Sequence, residues 1–140
     1  MGILRRAVAS DIPGIQRVRR SVRENRLVSA VVRDEDVRDA IDRTGRGWVI
    51  ESGGQVAAFA IGNATNGNLW ALFVHPDHER RGHGRRLHDT AVDWLRSQGL
   101  HKLWLTTEPG TRAQRFYERA GWHLACSADH GDLRYELHRA

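Results

Sequence analysis

The chain has 140 residues, enough for one domain that buries about two-thirds of its unfolded surface. Hydrophobic residues make up 40% and charged residues 28%, which excludes a disordered tract, and no apolar run approaches the ~20 residues that cross a bilayer. The net charge of +5 is interleaved with acids rather than gathered in a basic run, which argues against nucleic acid and admits a polyanionic small ligand.

Residues 4–8 read as a first strand. Ser10 or Asp11 is placed to cap a helix with Pro13 in its first turn and Ile12, Ile15, Val18 and Val22 on its apolar face. Asp34 caps a second short helix carrying Val37, Ala40 and Ile41. Residues 47–51 and 55–62 read as strands about the Ser52-Gly53-Gly54 turn, and residues 69–74 as the next strand after an Asn/Gly loop. That strand breaks at Pro76. A helix then begins near Gly82-His83-Gly84, keeps Leu87, Ala91, Trp94 and Leu95 in helical register, and stops at Gly99. Residues 101–107 form a strand, Thr111 opens a short helix that ends near Gly121, and residues 122–126 and 133–138 are two closing strands about a polar turn. Cys126 lies in the apolar run 122–126, where a buried small residue is expected rather than a nucleophile. As the single cysteine it forms no internal disulfide, which fits a reducing cytoplasm. The start, Met-Gly-Ile-Leu-Arg-Arg, has no signal-peptide core, and Arg6 stands where a myristoylation motif needs Ser or Thr.

Strand, glycine loop, helix start is an arrangement that aims unpaired N–H groups at one anion. The helix dipole reinforces it, and glycines let phosphate oxygens approach. Arg85 and Arg86 sit near the first turn, where a cation is unfavourable unless an anion binds. No lysine follows the glycines as a Walker loop requires, and Leu87 stands where a dinucleotide fingerprint needs its third glycine.

Val74-His75-Pro76 followed by Glu79-Arg80-Arg81-Gly82-His83-Gly84 resembles the acyl-CoA pyrophosphate loop of the GNAT superfamily of N-acyltransferases, with Glu79 in place of the usual Gln or Arg. A second motif, Ala113 with Phe116-Tyr117 and Gly121-Trp122, is similar to that family's short helix. Gly110 stands where the family often has Asn. The resemblance covers residues 3–138 and implies one α/β domain over residues 1–140. Its mixed sheet would run in the order β-α-α-β-β-β-α-β-α-β-β, with two central parallel strands splayed apart.

The resemblance further implies that acetyl-CoA is the co-substrate. Its pyrophosphate would lie on Arg80, Arg81, Gly82, His83, Gly84 and Arg85, and its pantetheine arm along the main chain of Leu72, Phe73 and Val74. A backbone N–H there would hold the thioester oxygen as charge develops. Tyr117 is the expected acid or ligand for the leaving sulfur, since a tyrosine near pKa 10 keeps its proton at neutral pH. Glu108 and Glu24 are the candidate bases, with an ordered water relay as the alternative. Glu24 and Asn25 would also meet the acceptor ammonium, and Trp70 either walls the cleft or packs inward. No metal is expected: His83 and His88 do not share a helix face as paired ligands would. The leading expectation is a cytoplasmic N-acetyltransferase acting by direct attack on a small amine such as a polyamine, amino acid or aminoglycoside-like compound. A protein N-terminus or lysine and a non-catalytic acyl-CoA-binding module are the alternatives. No membrane partner is expected, and a homodimer is the default assembly.

Overall fold

A computed structural model describes residues 2–22 and 32–138, and its elements follow the expected order. β1 (Ile3–Arg6) leads through a short 3-10 turn into α1 (Ile12–Val22), then α2 (Asp34–Asp42), β2 (Gly45–Ser52), β3 (Gln55–Asn63) and β4 (Asn68–Val74). α3 (His83–Ser97), β5 (Lys102–Thr107), α4 (Arg112–Arg119), β6 (His123–Ser127) and β7 (Leu133–His138) follow. The strands make one seven-stranded sheet in the order β1-β2-β3-β4-β5-β7-β6, antiparallel except where β4 meets β5. No described helix is long and apolar enough to cross a membrane.

Strand alternation divides the core between the two faces. In β3, Phe59 and Ile61 face α1 and α2, while Ala58 and Ala60 face α3. The alanines let α3 lie close, and its Leu87, Ala91 and Leu95, one turn apart, are fully buried against the sheet. Each such leucine contributes about 1.5–3 kcal/mol of burial. Ile15 and Val18 of α1 fill the opposite face.

In the 3-10 turn that leads into α1, Val8 takes the N-cap position, and the buried Asp11 reaches back to accept from the Val8 N–H at 2.8 Å. Asp11 also accepts two hydrogen bonds from the Arg5 guanidinium, at 2.8 and 2.9 Å, tying β1 to the helix start. Those Arg5 contacts hold the Asp11 carboxyl below the usual range and outweigh its desolvation. A depressed carboxyl stabilises the fold above its unfolded pKa of about 3.9, and that stability is lost as pH falls through the lower folded value. Asp11→Ala is therefore expected to cost about 2 kcal/mol at pH 7. In urea melts the difference from wild type should shrink toward zero near pH 2; a gap that persists there would assign the loss to packing.

Cys126 corrects an expectation. β7 rather than β6 takes the inner place beside β5, so β6 becomes the sheet edge. All five of its residues are exposed, and the Cys126 thiol is open to solvent rather than buried.

Candidate active site

β4 and β5 run parallel yet share a single register pair, Asn68 with Trp104. That corner is fastened firmly. The Trp104 N–H donates to the Gly67 carbonyl at 3.0 Å, the Asn68 amide donates to the Trp104 carbonyl at 3.1 Å, and the indole N–H donates to the Asn66 carbonyl at 3.1 Å. Beyond the corner no further pair forms, so main-chain groups of both strands face a gap.

The gap has a local cause in β4. Ala71 pairs with Ile61 and Leu69 with Gly62, which leaves Trp70 as the extra residue of a bulge. The extra residue reverses the alternation. Leu69 lies on the α3 side, Ala71 and Phe73 turn to the α1–α2 side, and Leu72 and Val74 return to the α3 side. Trp70 itself is 40% exposed and walls a pocket of about 90 Å³ between the helices and the sheet. Alternation alone left its orientation open; the bulge decides it.

At the end of β4 the chain turns through His75, whose Nδ1 accepts from the Asp77 N–H at 3.0 Å. Arg80 and Gly82 both adopt left-handed backbone, at φ 65° and φ 80°. Gly82 sits at the N-cap of α3, where a Cβ would meet nothing within 4 Å. Left-handed residues in such a turn direct successive N–H groups to one side, the geometry of an anion nest at a helix N-terminus. An arginine held at positive φ is uncommon and marks a constrained turn.

The side chains of this loop divide. Arg80, Arg81 and Arg85 are exposed; Arg81 contacts His78 at 3.1 Å, and Arg85 pairs with Asp89 at 3.2 Å. Arg86 turns away to the Gly2 carbonyl, at 3.1 Å. His83 is 3% exposed, and its ring is packed beneath the helix start beside Gly2, with both nitrogens unpartnered. Burial, reinforced by Arg86, lowers its pKa and keeps it neutral, so its main-chain N–H is what it can offer an anion.

Gly110, at φ 79°, turns the chain so that Thr111 caps α4, its hydroxyl oxygen accepting from the Gln114 N–H at 3.2 Å. The expected cap is thus in place, and the Gly110 N–H donates to Gln114 Oε1 at 2.7 Å. α4 places Tyr117 in the core shared by Leu69 of β4 and Leu103 and Leu105 of β5, under the parting strands. Its ring meets Phe116 and Trp122 edge-on, and burial raises its pKa well above 10. Glu108 directly follows the last residue of β5 and is exposed. Glu24 and Asn25 lie outside the described residues.

Two contacts go beyond what the sequence implied. Glu79 pairs with Arg112 at 2.8 Å, linking the loop after β4 to the first turn of α4 across the open end of the gap. His88, which the sequence suggests only as a metal ligand to be set aside, is buried. Its Nε2 accepts from the Trp122 indole at 2.9 Å, and its Nδ1 lies 2.8 Å from Asp89, which also holds Arg85. A Glu at a position that usually carries a neutral or basic residue signals the first; no sequence feature marks the second.

With this geometry in hand, residues 15–122 match the Acetyltransferase (GNAT) family. The chain belongs to the GNAT family. Its mixed seven-stranded sheet and four α-helices agree with solved GNAT acetyltransferase structures. The S18-alanine N-acetyltransferase structure from Escherichia coli superposes with a TM-score of 0.79 at 20% identity, covering 100% of this chain and 95% of that one. The PaiA N-acetyltransferase of Thermoplasma acidophilum, in complex with coenzyme A, gives 0.82 at 14% identity, covering 99% of each. By sequence the GNAT chain is 33% identical over 91 residues to a mycothiol acetyltransferase of Beutenbergia cavernae, covering 60% of this chain and 31% of the relative. It is 35% identical over 75 residues to the [ribosomal protein bS18]-alanine N-acetyltransferase of Escherichia coli K12, covering 51% of each. The chain thus spans about half or less of the length of these curated relatives.

Proposed function

We propose that this GNAT chain transfers an acetyl group from acetyl-CoA to the primary amine of a small molecule by direct attack, as a single domain in the cytoplasm. The observation that carries this reading is the gap between β4 and β5, which opens beside the left-handed glycine loop at the start of α3. A gap edged with main-chain donors and acceptors suits an extended amide-bearing arm, and the loop suits that arm's pyrophosphate. Neighbours crystallised with coenzyme A or acetyl-CoA support the donor.

In this reading the N–H groups of Gly82, His83, Gly84 and Arg85 hold the pyrophosphate, with the Arg80, Arg81 and Arg85 side chains adding charge. The pantetheine arm runs along Leu72, Phe73 and Val74. The neutral amine attacks the thioester carbonyl carbon and forms the C–N bond. The C–S bond then breaks, its electron pair leaving on sulfur. The nitrogen's proton passes to Glu108 and on to solvent. Tyr117, kept protonated by burial, donates a hydrogen bond to the departing thiolate, which solvent protonates. Full proton transfer from so weak an acid to a thiolate of pKa about 8.5 is uphill, so Tyr117 acts as a sulfur ligand.

A protein acceptor is the second reading, favoured by the similarity to an enzyme named for an alanine of ribosomal protein bS18. Thiol release from acetyl-CoA, measured with small amines and with an alanine-started peptide, tests both. Faster release with a small amine is the expected result. Release only with the peptide would replace it with the second reading, and an absence of both release and acetyl-CoA binding would sink the function.

A further inference from the structure

His88 lies on the inward face of α3, 4% exposed, among positions otherwise filled by Leu87, Ala91 and Leu95. Its ring packs edge-on against Phe116 and Trp122, at 5.6 and 6.1 Å between centroids. An apolar residue would meet those rings as well, so packing does not account for the two polar contacts of the imidazole. An indole N–H can only donate, so the 2.9 Å contact from Trp122 requires Nε2 to be unprotonated. The ring proton of neutral His88 is thereby fixed on Nδ1, which donates to the Asp89 carboxylate at 2.8 Å. Burial lowers the pKa of His88 and favours the same neutral form.

Asp89 in turn holds Arg85, one turn earlier in α3, through Nε at 3.2 and 3.3 Å. An i,i+4 pair as exposed as this one is weak by itself, because both side chains exchange between rotamers in water. The buried ring changes that. It ties Asp89 to the core, so the carboxylate presents its oxygens to Nε in one orientation. Nε engages one edge of the guanidinium and leaves the Nη hydrogens to other acceptors. Arg85 stands in the first turn of α3, beside the left-handed Gly82, where the pyrophosphate is proposed to lie. An arginine fixed in advance gives up less freedom when it meets an anion.

We propose, resting on the acetyl-CoA reading above, that His88 is a positioning residue for the donor: Trp122 sets its tautomer, His88 fixes Asp89, and Asp89 holds Arg85 ready for a phosphate of the bound coenzyme.

Calorimetric titration with coenzyme A, beside thermal unfolding of each ligand-free variant, tests every link. His88→Gln keeps an acceptor near the Nε2 position for Trp122 and has no donor at Nδ1. Its Kd for coenzyme A should rise about fivefold, the upper range that an exposed ion pair supports. His88→Asn does the reverse. Its amide N–H takes the Nδ1 position, so Kd should stay within about twofold of wild type even though the indole loses its acceptor and Tm falls. Asp89→Asn, on the surface, should weaken binding, whereas charge alone would tighten it by removing an anion beside a phosphate site. In an Arg85→Ala background His88→Gln should add less than about twofold, since the two act in series. Equal losses of affinity in His88→Gln and His88→Asn would reduce the ring to a packing role. Unchanged or tighter binding by Asp89→Asn overturns the proposal, as does a His88→Gln effect undiminished without Arg85. A wild-type chain that does not bind coenzyme A overturns the donor reading itself; firm binding with the same Kd in every variant overturns the positioning role alone.

Discussion

Tyr117→Phe is expected to lower kcat by about tenfold or more, a loss of at least ~1.4 kcal/mol of transition-state stabilisation, while the affinity for acetyl-CoA stays nearly unchanged. Tyr117 is 7% exposed, its ring is fixed between Phe116 and Trp122, and burial is the cause of its raised pKa. Removing the oxygen leaves that packing intact, so the folded state and the glycine loop at the start of α3 should be unaffected. What is lost, in the proposed mechanism, is a hydrogen-bond donor to the charge that develops on sulfur as the C–S bond breaks. The direction of the shift adds a pH signature. A tyrosine raised above 10 does not ionise in the neutral or mildly alkaline range, so Tyr117 should impose no alkaline fall in rate there. Wild-type turnover in the variant would reduce Tyr117 to a core residue.

The second large effect is on binding. At about 100-fold above its Kd, acetyl-CoA should stabilise the wild type by about 2.7 kcal/mol, a rise in Tm on the order of 10 °C. Gly82→Asp should abolish that rise. Gly82 has φ 80° with open space around the Cβ direction, and Asp is among the residues that tolerate left-handed backbone, so the variant should fold. Its carboxylate would then stand at the helix N-terminus, where the phosphates are proposed to lie, and like charge would exclude them. Gly82→Ala keeps the N–H and adds no charge, so it should retain most of the rise. Equal stabilisation of wild type and Gly82→Asp would place the anion elsewhere on the molecule.

Much of the fold could be read in the sequence because its signals are local. Gly82, Gly99 and Gly121 punctuate the helices through turn chemistry that depends on a few neighbours, and Leu87, Ala91 and Leu95 declare the buried face of α3 by their spacing alone. Thr111 was legible as a cap for the same reason. The features that shape the site were not. A bulge adds one residue to a strand whose members are nearly all apolar, so no polar residue beyond Asn68 on β4 betrays the reversal at Trp70. Which of two closing strands takes the inner place is a matter of topology, and only that placement exposes Cys126. His83 and His88 are polar residues buried inside a helix that reads as amphipathic. Their surroundings come from Gly2 and Trp122, far away in sequence.

The open thiol on β6 has a practical chemical reach. Cys126 is the chain's single cysteine and lies on an uncovered edge strand, so a disulfide reagent in water should label the folded protein once per chain. That reaction would add one equivalent of colour per chain before any coenzyme is released, a fixed offset under every turnover trace. It also gives the folded molecule a single-site handle, remote in sequence from the glycine loop, for attaching a fluorophore without disturbing the residues proposed to hold the donor.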